Sequence, residues 1–349
     1  MADRTVDIII PVFNEAALTK NCLESIVNNS DTPYHLILID NASGEETRKC
    51  LEEFVRTNRN SVLIRNGTNL GWVKAVNQGI NMSSGPYICI MNNDTVVRTP
   101  GWLYKLIAAV EANPGAGLVN PRFETKNAAI AERYPYIEID FCRGYCVLIK
   151  RAVIDKIGGL DEAYGLGYYD DDDFSVRAIR ANFRCIRAND IVVEHIRDST
   201  FSTVFKDKAR RELHEKNKQL FYSKWGRRLR IVFIVTKTLD KERLKDVLLL
   251  LARRQHIVYL WNLAEPLGIR HINIRERIFP KIFPGALLSL TLFINSIKKE
   301  AKRYNLVFVD NPGVAMKLSG DCPAVHCVDV ERGADRVCQI ADSAAKDTR

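Results

Sequence analysis

The sequence of 349 residues has no long hydrophobic run, no Cys-x-x-Cys pair and no low-complexity tract. Its longest apolar stretch, Pro284 to Ile297, contains Asn295 and falls short of the roughly 20 residues a membrane-spanning helix needs. The opening stretch Val6 to Val12 is too short for the apolar part of a secretory leader, and Pro11 interrupts it. A first strand is therefore expected there, in a protein that begins in the cytosol. The nine cysteines are scattered and odd in number, with Cys142 and Cys146 four apart and Cys322 and Cys327 five apart. Reduced thiols follow from that pattern, and a structural zinc site does not.

What is present is ordinary in bulk and uneven in detail. Hydrophobic residues make up 46% and charged residues 27%, as in a soluble globular protein long enough for two domains. The net charge of +9 is concentrated: from Lys206 to Arg230 there are ten Lys or Arg against Asp207, Glu212 and Glu215. A solvated helical face accounts for such a run. The apolar residues Phe201, Phe205, Leu213, Leu220 and Trp225, at near-helical spacing, add a second reading. On that reading the segment makes a peripheral contact with an anionic membrane at its inner face, or meets a phosphate-bearing acceptor. No nucleic-acid motif accompanies the charge, so nucleic acid is not an expected partner.

Periodicity predicts an α/β protein. Val6 to Val12, Leu36 to Asp40, Ser61 to Arg65 and Tyr87 to Met91 read as strands. Helical spacing intervenes at Leu18, Cys22, Leu23 and Ile26, then over about Glu45 to Arg56, and again after Gly71 at Val73, Val76 and Ile80. Such alternation implies parallel crossovers, and ligands of open α/β sheets bind beyond the strand C-termini. Polar residues collect at those ends: Asn14 and Glu15, Asp40 and Asn41, Asn92 to Asp94. Past Trp225-Gly226 the pattern restarts. Arg230 to Thr236 reads as a strand, followed by a helix through Val247 to Leu251 and strands at Ile257 to Leu260 and Leu306 to Val309. A long apolar helix is expected over Leu287 to Ala301. The expected division is 1–228, then a smaller Rossmann-like unit at 229–330, then a tail of unknown structure at 331–349.

The order of the motifs is specific where each alone is weak. Asp7-Ile-Ile-Ile-Pro-Val-Phe-Asn-Glu15 is followed by Leu38-Ile-Asp-Asn-Ala-Ser43, the Asn69-to-Gly79 segment and Met91-Asn-Asn-Asp-Thr95. Gly158-Gly-Leu-Asp-Glu162, Asp170-Asp-Asp-Asp-Phe-Ser-Val-Arg177 and His195 complete the series. In this the chain resembles the family-2 glycosyltransferases, of GT-A fold, over residues 6–226. The resemblance implies an inverting hexosyl or deoxyhexosyl transfer from a UDP- or dTDP-sugar to a glycan or lipid-linked acceptor. It further implies a divalent cation, Mn2+ or Mg2+. Pro11, Val12, Phe13, Glu15 and Asp40 are then expected at the base and ribose, with Asn69, Gly71 and Lys74 near a phosphate. Asn92, Asn93 and Asp94 stand at the family's Asp-x-Asp position, so Asp94 is the expected direct metal ligand and His195 the second. Asn92 replaces the usual first Asp, a departure common among bacterial members that build cell-surface polysaccharides. Arg143 and Gly144 are expected near the donor sugar.

Four adjacent carboxylates, Asp170 to Asp173, repel one another unless cations or protons relieve them. An isolated run would be a solvated loop. Here Arg177 lies six residues after Asp171, which by resemblance places Asp171 at the catalytic base, with Asp170 in place of the customary Glu and Asp173 beside it. The second unit resembles the first half of a GT-B glycosyltransferase. Two other functions bear on the same residues. A nucleotidyltransferase would carry a Gly-rich phosphate loop after its first strand, which Pro11 to Glu15 lacks. A non-catalytic scaffold would bind the donor without turning it over.

Overall fold

The computed structural model describes residues 4–122, 134–196, 207–236, 240–262, 266–278, 303–319, 324–328 and 334–347. The chain divides into two compact units, Met1–Leu220 and Phe221–Arg349.

In the first unit, β1 (Val6–Val12) is buried at all seven positions, as befits a run of β-branched residues in the middle of a sheet. Helices and strands then alternate: α1 (Ala16–Asn29), β2 (Tyr34–Asp40), α2 (Glu45–Thr57), β3 (Ser61–Arg65), α3 (Trp72–Met82) and β4 (Tyr87–Met91). β2 and β4 flank β1 in parallel, and β3 extends β2 in parallel. Val12 is level with Asp40, so the polar residues after these strands meet at one edge. These elements lie where the periodicity puts them, and the mixed α/β fold with helices against the sheet is as expected.

The rest of the unit is mixed rather than parallel. It comprises β5 (Thr95–Val97), α4 (Trp102–Ala112), β6 (Ala116–Arg122), β7 (Tyr136–Ile139), β8 (Cys146–Lys150), α5 (Arg151–Ile157), α6 (Asp170–Arg180), β9 (Arg184–His195) and α7 (Asp207–Trp225). The strand order is β3-β2-β1-β4-β8-β6-β9-β5, with β7 on β9. β8 runs antiparallel between β4 and β6. The residues just before β8, 143–145, are therefore delivered to the edge where β4 ends. β9 is long enough to serve three neighbours: β6 in parallel and β7 antiparallel along its first part, and, past a bend marked by a register shift, β5 antiparallel at its last three residues. That bend sets His195 opposite Thr95, next to Asp94.

The second unit holds β10 (Arg230–Val235), α8 (Lys241–Arg253), β11 (Ile257–Asn262), β12 (Ile274–Ile278), β13 (Leu306–Val309), α9 (Pro312–Leu318), β14 (Val325–Cys327) and α10 (Ala334–Lys346). Its sheet, β12-β11-β10-β13-β14, is parallel at every pairing, a doubly wound order. Segment 331–349, a tail of unknown structure from the sequence alone, contains α10. Its Val337, Cys338, Ala341 and Ala345 join Leu244, Val247, Leu248 and Leu251 of α8 in one core. Three of those four α10 residues are small, which is why the stripe is faint in the sequence. The apolar helix expected over Leu287 to Ala301 lies outside the described residues, as do Phe201, Phe205 and Lys206. Among the described residues no helix is long and apolar enough to cross a membrane.

Helix α3 packs tightly on β1 at Gly79. A Cβ there would lie 2.3 Å from Ile9 Cγ2. Helix propensity favours Ala over Gly by about 1 kcal/mol, but overpacking a dense core costs about 1–3 kcal/mol. Gly79→Ala is expected to lower the stability of the first unit in urea unfolding. Gly67→Ala, in open space, is expected to change it by no more than about 0.5 kcal/mol. Equal behaviour of the two would mean that Ile9 yields without strain.

Candidate active site

Three strand-end loops are laced together by side-chain amides and one carboxylate. After β1, Asn14 and Glu15 both take left-handed backbone angles, each with φ 58°. The Asn14 N–H donates to Ser43 Oγ (2.9 Å), and its side-chain oxygen accepts from the Gly44 N–H (2.9 Å). Asp40, fully buried at the end of β2, accepts from the Ser43 N–H (2.8 Å) and pairs with Arg65. The third loop is held by Asn41, which accepts from Asn66 (2.9 Å) and Leu70 N–H (3.3 Å) and donates to the Gly71 carbonyl (3.2 Å). Gly71, with φ 83°, has no room for a side chain: a Cβ would sit 2.6 Å from Leu166 Cδ2. Asn69 accepts from the Gly71 N–H (2.9 Å). Pro11, Val12, Phe13, Glu15, Asp40, Asn69 and Gly71 thus share one edge, while Lys74 is exposed on α3.

Beside this edge, the turn after β4 meets the end of β9. Asp94 Oδ1 and His195 Nε2 are 3.2 Å apart, and the Asn92 amide is 3.2 Å from the same nitrogen. Asn93 points inward and donates to Thr19 (2.9 Å), so it braces the turn against α1. Tyr145 stacks on His195 with centroids 5.4 Å apart, and its carbonyl accepts from the Asn92 N–H (2.9 Å).

The third component is the N-terminus of α6. Tyr168 and Tyr169 precede it with φ 69° and 66°, an uncommon pair for bulky residues. Buried Asn217 of α7 holds this turn by donating to the carbonyls of Tyr164 (2.8 Å) and Gly167 (2.7 Å). The four carboxylates are then treated differently. Asp173 is buried and paired with Arg177 (2.8 Å), which also donates to the carbonyls of Ile157 (2.9 Å) and Gly159 (2.8 Å). Asp170 accepts from Trp72 Nε1 (3.1 Å). Asp171 accepts from the Gly144 N–H (3.1 Å), and Ser175 accepts from the Cys142 N–H (2.9 Å). Burial pushes Asp170 up to about 8, with help from the charge of Asp171. Burial also raises Asp171, against its backbone hydrogen bonds, and raises Asp172 strongly. A cavity of about 20 Å³, room for one water, lies among Trp72, Gly144, Asp170, Asp171 and Phe174.

Gly144 and Tyr145 therefore join the two halves. One residue holds Asp171 and the next stacks on His195. Arg143 is exposed at the same place. Asp94 and His195 could hold a hard divalent cation only as a two-residue set, and among the described residues no three His, Cys, Asp or Glu are placed to hold a metal ion together. That donor set fits a cation whose remaining ligands come from a bound diphosphate.

Arg65 and Tyr145 were not singled out in the sequence, and Asn41 and Ser43 stood there only within a strand-end cluster and a motif. Their partners lie at 25, 50, 30 and 29 positions' remove, taking Asp40, His195, Gly71 and Asn14 in turn, and no local pattern marks such pairs. Only the adjacency of Tyr145 to Gly144 hints at its place.

Comparison with known proteins agrees with the motif series. Residues 7–135 match the family described as glycosyl transferase family 2, and the resemblance drawn from the motifs is shown over that segment. An uncharacterized glycosyltransferase of Haemophilus influenzae is 28% identical over 108 residues, 31% of this chain and 33% of that protein. A PGL/p-HBAD biosynthesis glycosyltransferase of Mycobacterium bovis is 24% identical over 182 residues, 51% of this chain and 70% of that one. The chain thus spans a third of the length of the first relative and about two-thirds of the second. Among solved structures, the mannosyltransferase PcManGT of Pyrobaculum calidifontis, in complex with GDP-Man and Mn2+, aligns with a TM-score of 0.49. That alignment is 20% identical and covers 57% of this chain and 58% of the other.

The raised Asp170 ties stability to pH. A carboxyl whose folded value lies above its unfolded one stabilises fully below about pH 4 and loses that contribution as pH rises toward about 8. The urea midpoint of the protein is expected to fall between pH 5 and 9, and to fall less in Asp170→Asn, which keeps an acceptor for Trp72. Identical pH profiles would show that Asp170 is ionised throughout.

Proposed function

We propose that this chain, with its family-2 match over residues 7–135, transfers a hexosyl or deoxyhexosyl group from a UDP- or dTDP-sugar to an acceptor hydroxyl, with inversion. The observation that carries this reading is the bridge made by Gly144 and Tyr145 between Asp171 and the Asp94–His195 pair. A displacement at an anomeric carbon needs a base on one face and stabilisation of the leaving diphosphate on the other. Two consecutive residues hold candidates for both.

In this reading the base and ribose lie against Pro11, Val12, Phe13, Glu15 and Asp40. The diphosphate lies toward Asn92, Asp94 and His195, and the sugar toward Arg143 and Gly144. A bound Mn2+ or Mg2+, held by Asp94 and His195, would offset the charge of the departing diphosphate. Asp171 takes the proton of the acceptor hydroxyl as its oxygen attacks, and one displacement inverts the centre. Burial supports the role of Asp171 by making it a stronger base, and the Gly144 N–H fixes one of its oxygens. Asp170, kept protonated at neutral pH, limits the charge beside it. Asp173 orients the helix through Arg177 rather than touching substrate. A glycan or lipid-linked acceptor, in cell-surface polysaccharide synthesis at the inner face of a membrane, suits the exposed Arg211 and Lys216 of α7.

The test is transfer rate and UDP affinity in Asp171→Asn, Asp172→Asn and the unaltered chain. General-base catalysis contributes about 10²–10⁴-fold, so Asp171→Asn is expected to lose transfer by that order with UDP affinity little changed. Near-normal turnover in Asp171→Asn with collapse in Asp172→Asn would move the base to Asp172. Binding of nucleotide sugar without transfer or hydrolysis in the unaltered chain would favour the scaffold.

A further inference from the structure

At the end of β6, Arg122, Arg187 and Arg143 lie close enough for their charges to act on one another. Asn120 is the organising residue. It is level with Arg187 across the β6–β9 pairing, it accepts from the Arg143 N–H (2.7 Å), and it donates to the Arg143 carbonyl (3.0 Å). Two residues further on, Arg122 closes the strand opposite Val192. The Tyr145 hydroxyl donates to the Pro121 carbonyl (2.6 Å), so the ring that stacks on His195 with its face reaches the end of β6 with its hydroxyl.

Arg122 Nε and Nη1 are shielded from solvent and have no hydrogen-bond partner among the described residues. Arg187 is half-buried and donates from Nε to Asn189 (2.8 Å). Burial lowers its pKa first, and the like charges of Arg122 and Arg143 lower it further. Shielded guanidinium groups facing like charges are costly in an empty protein and are relieved by an anion. A guanidinium fork matches a phosphate or carboxylate in particular.

We propose that Arg122 and Arg187, with Arg143 at the rim, form an oxyanion site that holds a phosphate or carboxylate group carried by the acceptor. Assignment to the acceptor rests on the transferase reading. The donor's diphosphate belongs beside the Asp94–His195 pair on the face of the Tyr145 ring, and its hydroxyl meets Pro121, the neighbour of Arg122 on the strand that pairs with Arg187. The acceptor must reach Asp171, and Arg143 acts on the charge of both Asp171 and Asp172, which puts this group beside the base.

The experiment titrates the full chain with inorganic phosphate and, separately, with glucuronate, each in the presence of saturating UDP and Mn2+. At least one anion is expected to bind alongside UDP, and the stronger of the two identifies phosphate or carboxylate. Arg122→Gln is expected to weaken that anion by about 10–100-fold, the range for charge-assisted hydrogen bonds, with UDP affinity unchanged. Arg122→Lys, which keeps the charge, is expected to weaken it less. Removal of an unpaired shielded charge should leave the melting temperature of Arg122→Gln in phosphate-free buffer equal or higher; a fall of several degrees would assign Arg122 a structural role instead. Competition between the anion and UDP, or weaker UDP binding in Arg122→Gln, would assign the arginines to the donor and overturn the proposal. Absence of binding by either anion would also overturn it. Anion binding that depends on Arg122 in a chain that does not bind UDP would keep the oxyanion site and remove the transferase reading.

Discussion

Four consecutive carboxylates at the start of α6 cannot all be buried and all ionised, and the first unit is arranged around that constraint. Three of the four meet a different neighbour. Arg177 neutralises Asp173 and, through two carbonyls, fixes α6 to the turn after α5. Trp72, at the first position of α3, supplies a donor to Asp170 across 98 residues of sequence. The Gly144 N–H supplies one to Asp171. The outcome is one helix end at which a largely protonated acid, a raised carboxylate and an ion-paired carboxylate sit side by side. Placing them there requires the strained pair Tyr168 and Tyr169, and buried Asn217 holds that turn in place.

The loops after β1, β2 and β4 obey a second, simpler rule. Parallel β1, β2 and β4 end at one edge, and their polar residues bond to one another before any ligand arrives. Asp40 illustrates the consequence. Both of its oxygens already have partners, Ser43 and Arg65, so a nucleotide that meets it would meet a carboxylate–guanidinium unit rather than a lone acid. Preorganised loops of this kind lose little conformational freedom on binding. The antiparallel entry of β8 then brings Gly144 and Tyr145 to the same edge, so the mixed half of the sheet contributes to the site as much as the parallel half does.

The strands β1 to β4, the helices between them and the strand-end clusters were legible because an apolar run ending in Asn or Asp is a local signal. In the sequence Arg177 served only to mark Asp171 by its spacing; its pairing with Asp173 and its hold on the turn after α5 were not legible there. Arg65, Tyr145 and Asn120 were not legible, since their partners depend on how distant strands come together. Helix α10 was missed for another reason. Its buried face is built largely of Ala and Cys, too small to register as a stripe, and only the complementary Leu-rich face of α8 makes it a core element. The expectations over Leu287 to Ala301 and at Phe201 and Phe205 fall outside the described residues.

The central claim is that the edge formed by β1, β2 and β4 binds a nucleoside diphosphate with a cation between it and the Asp94–His195 pair. Calorimetric titration of the full chain with UDP, first with Mn2+ and then with a chelator, tests it most directly. Mn2+ is expected to strengthen binding at least tenfold, and Asp94→Asn to lose that gain. Equal UDP affinity with and without the metal would contradict it.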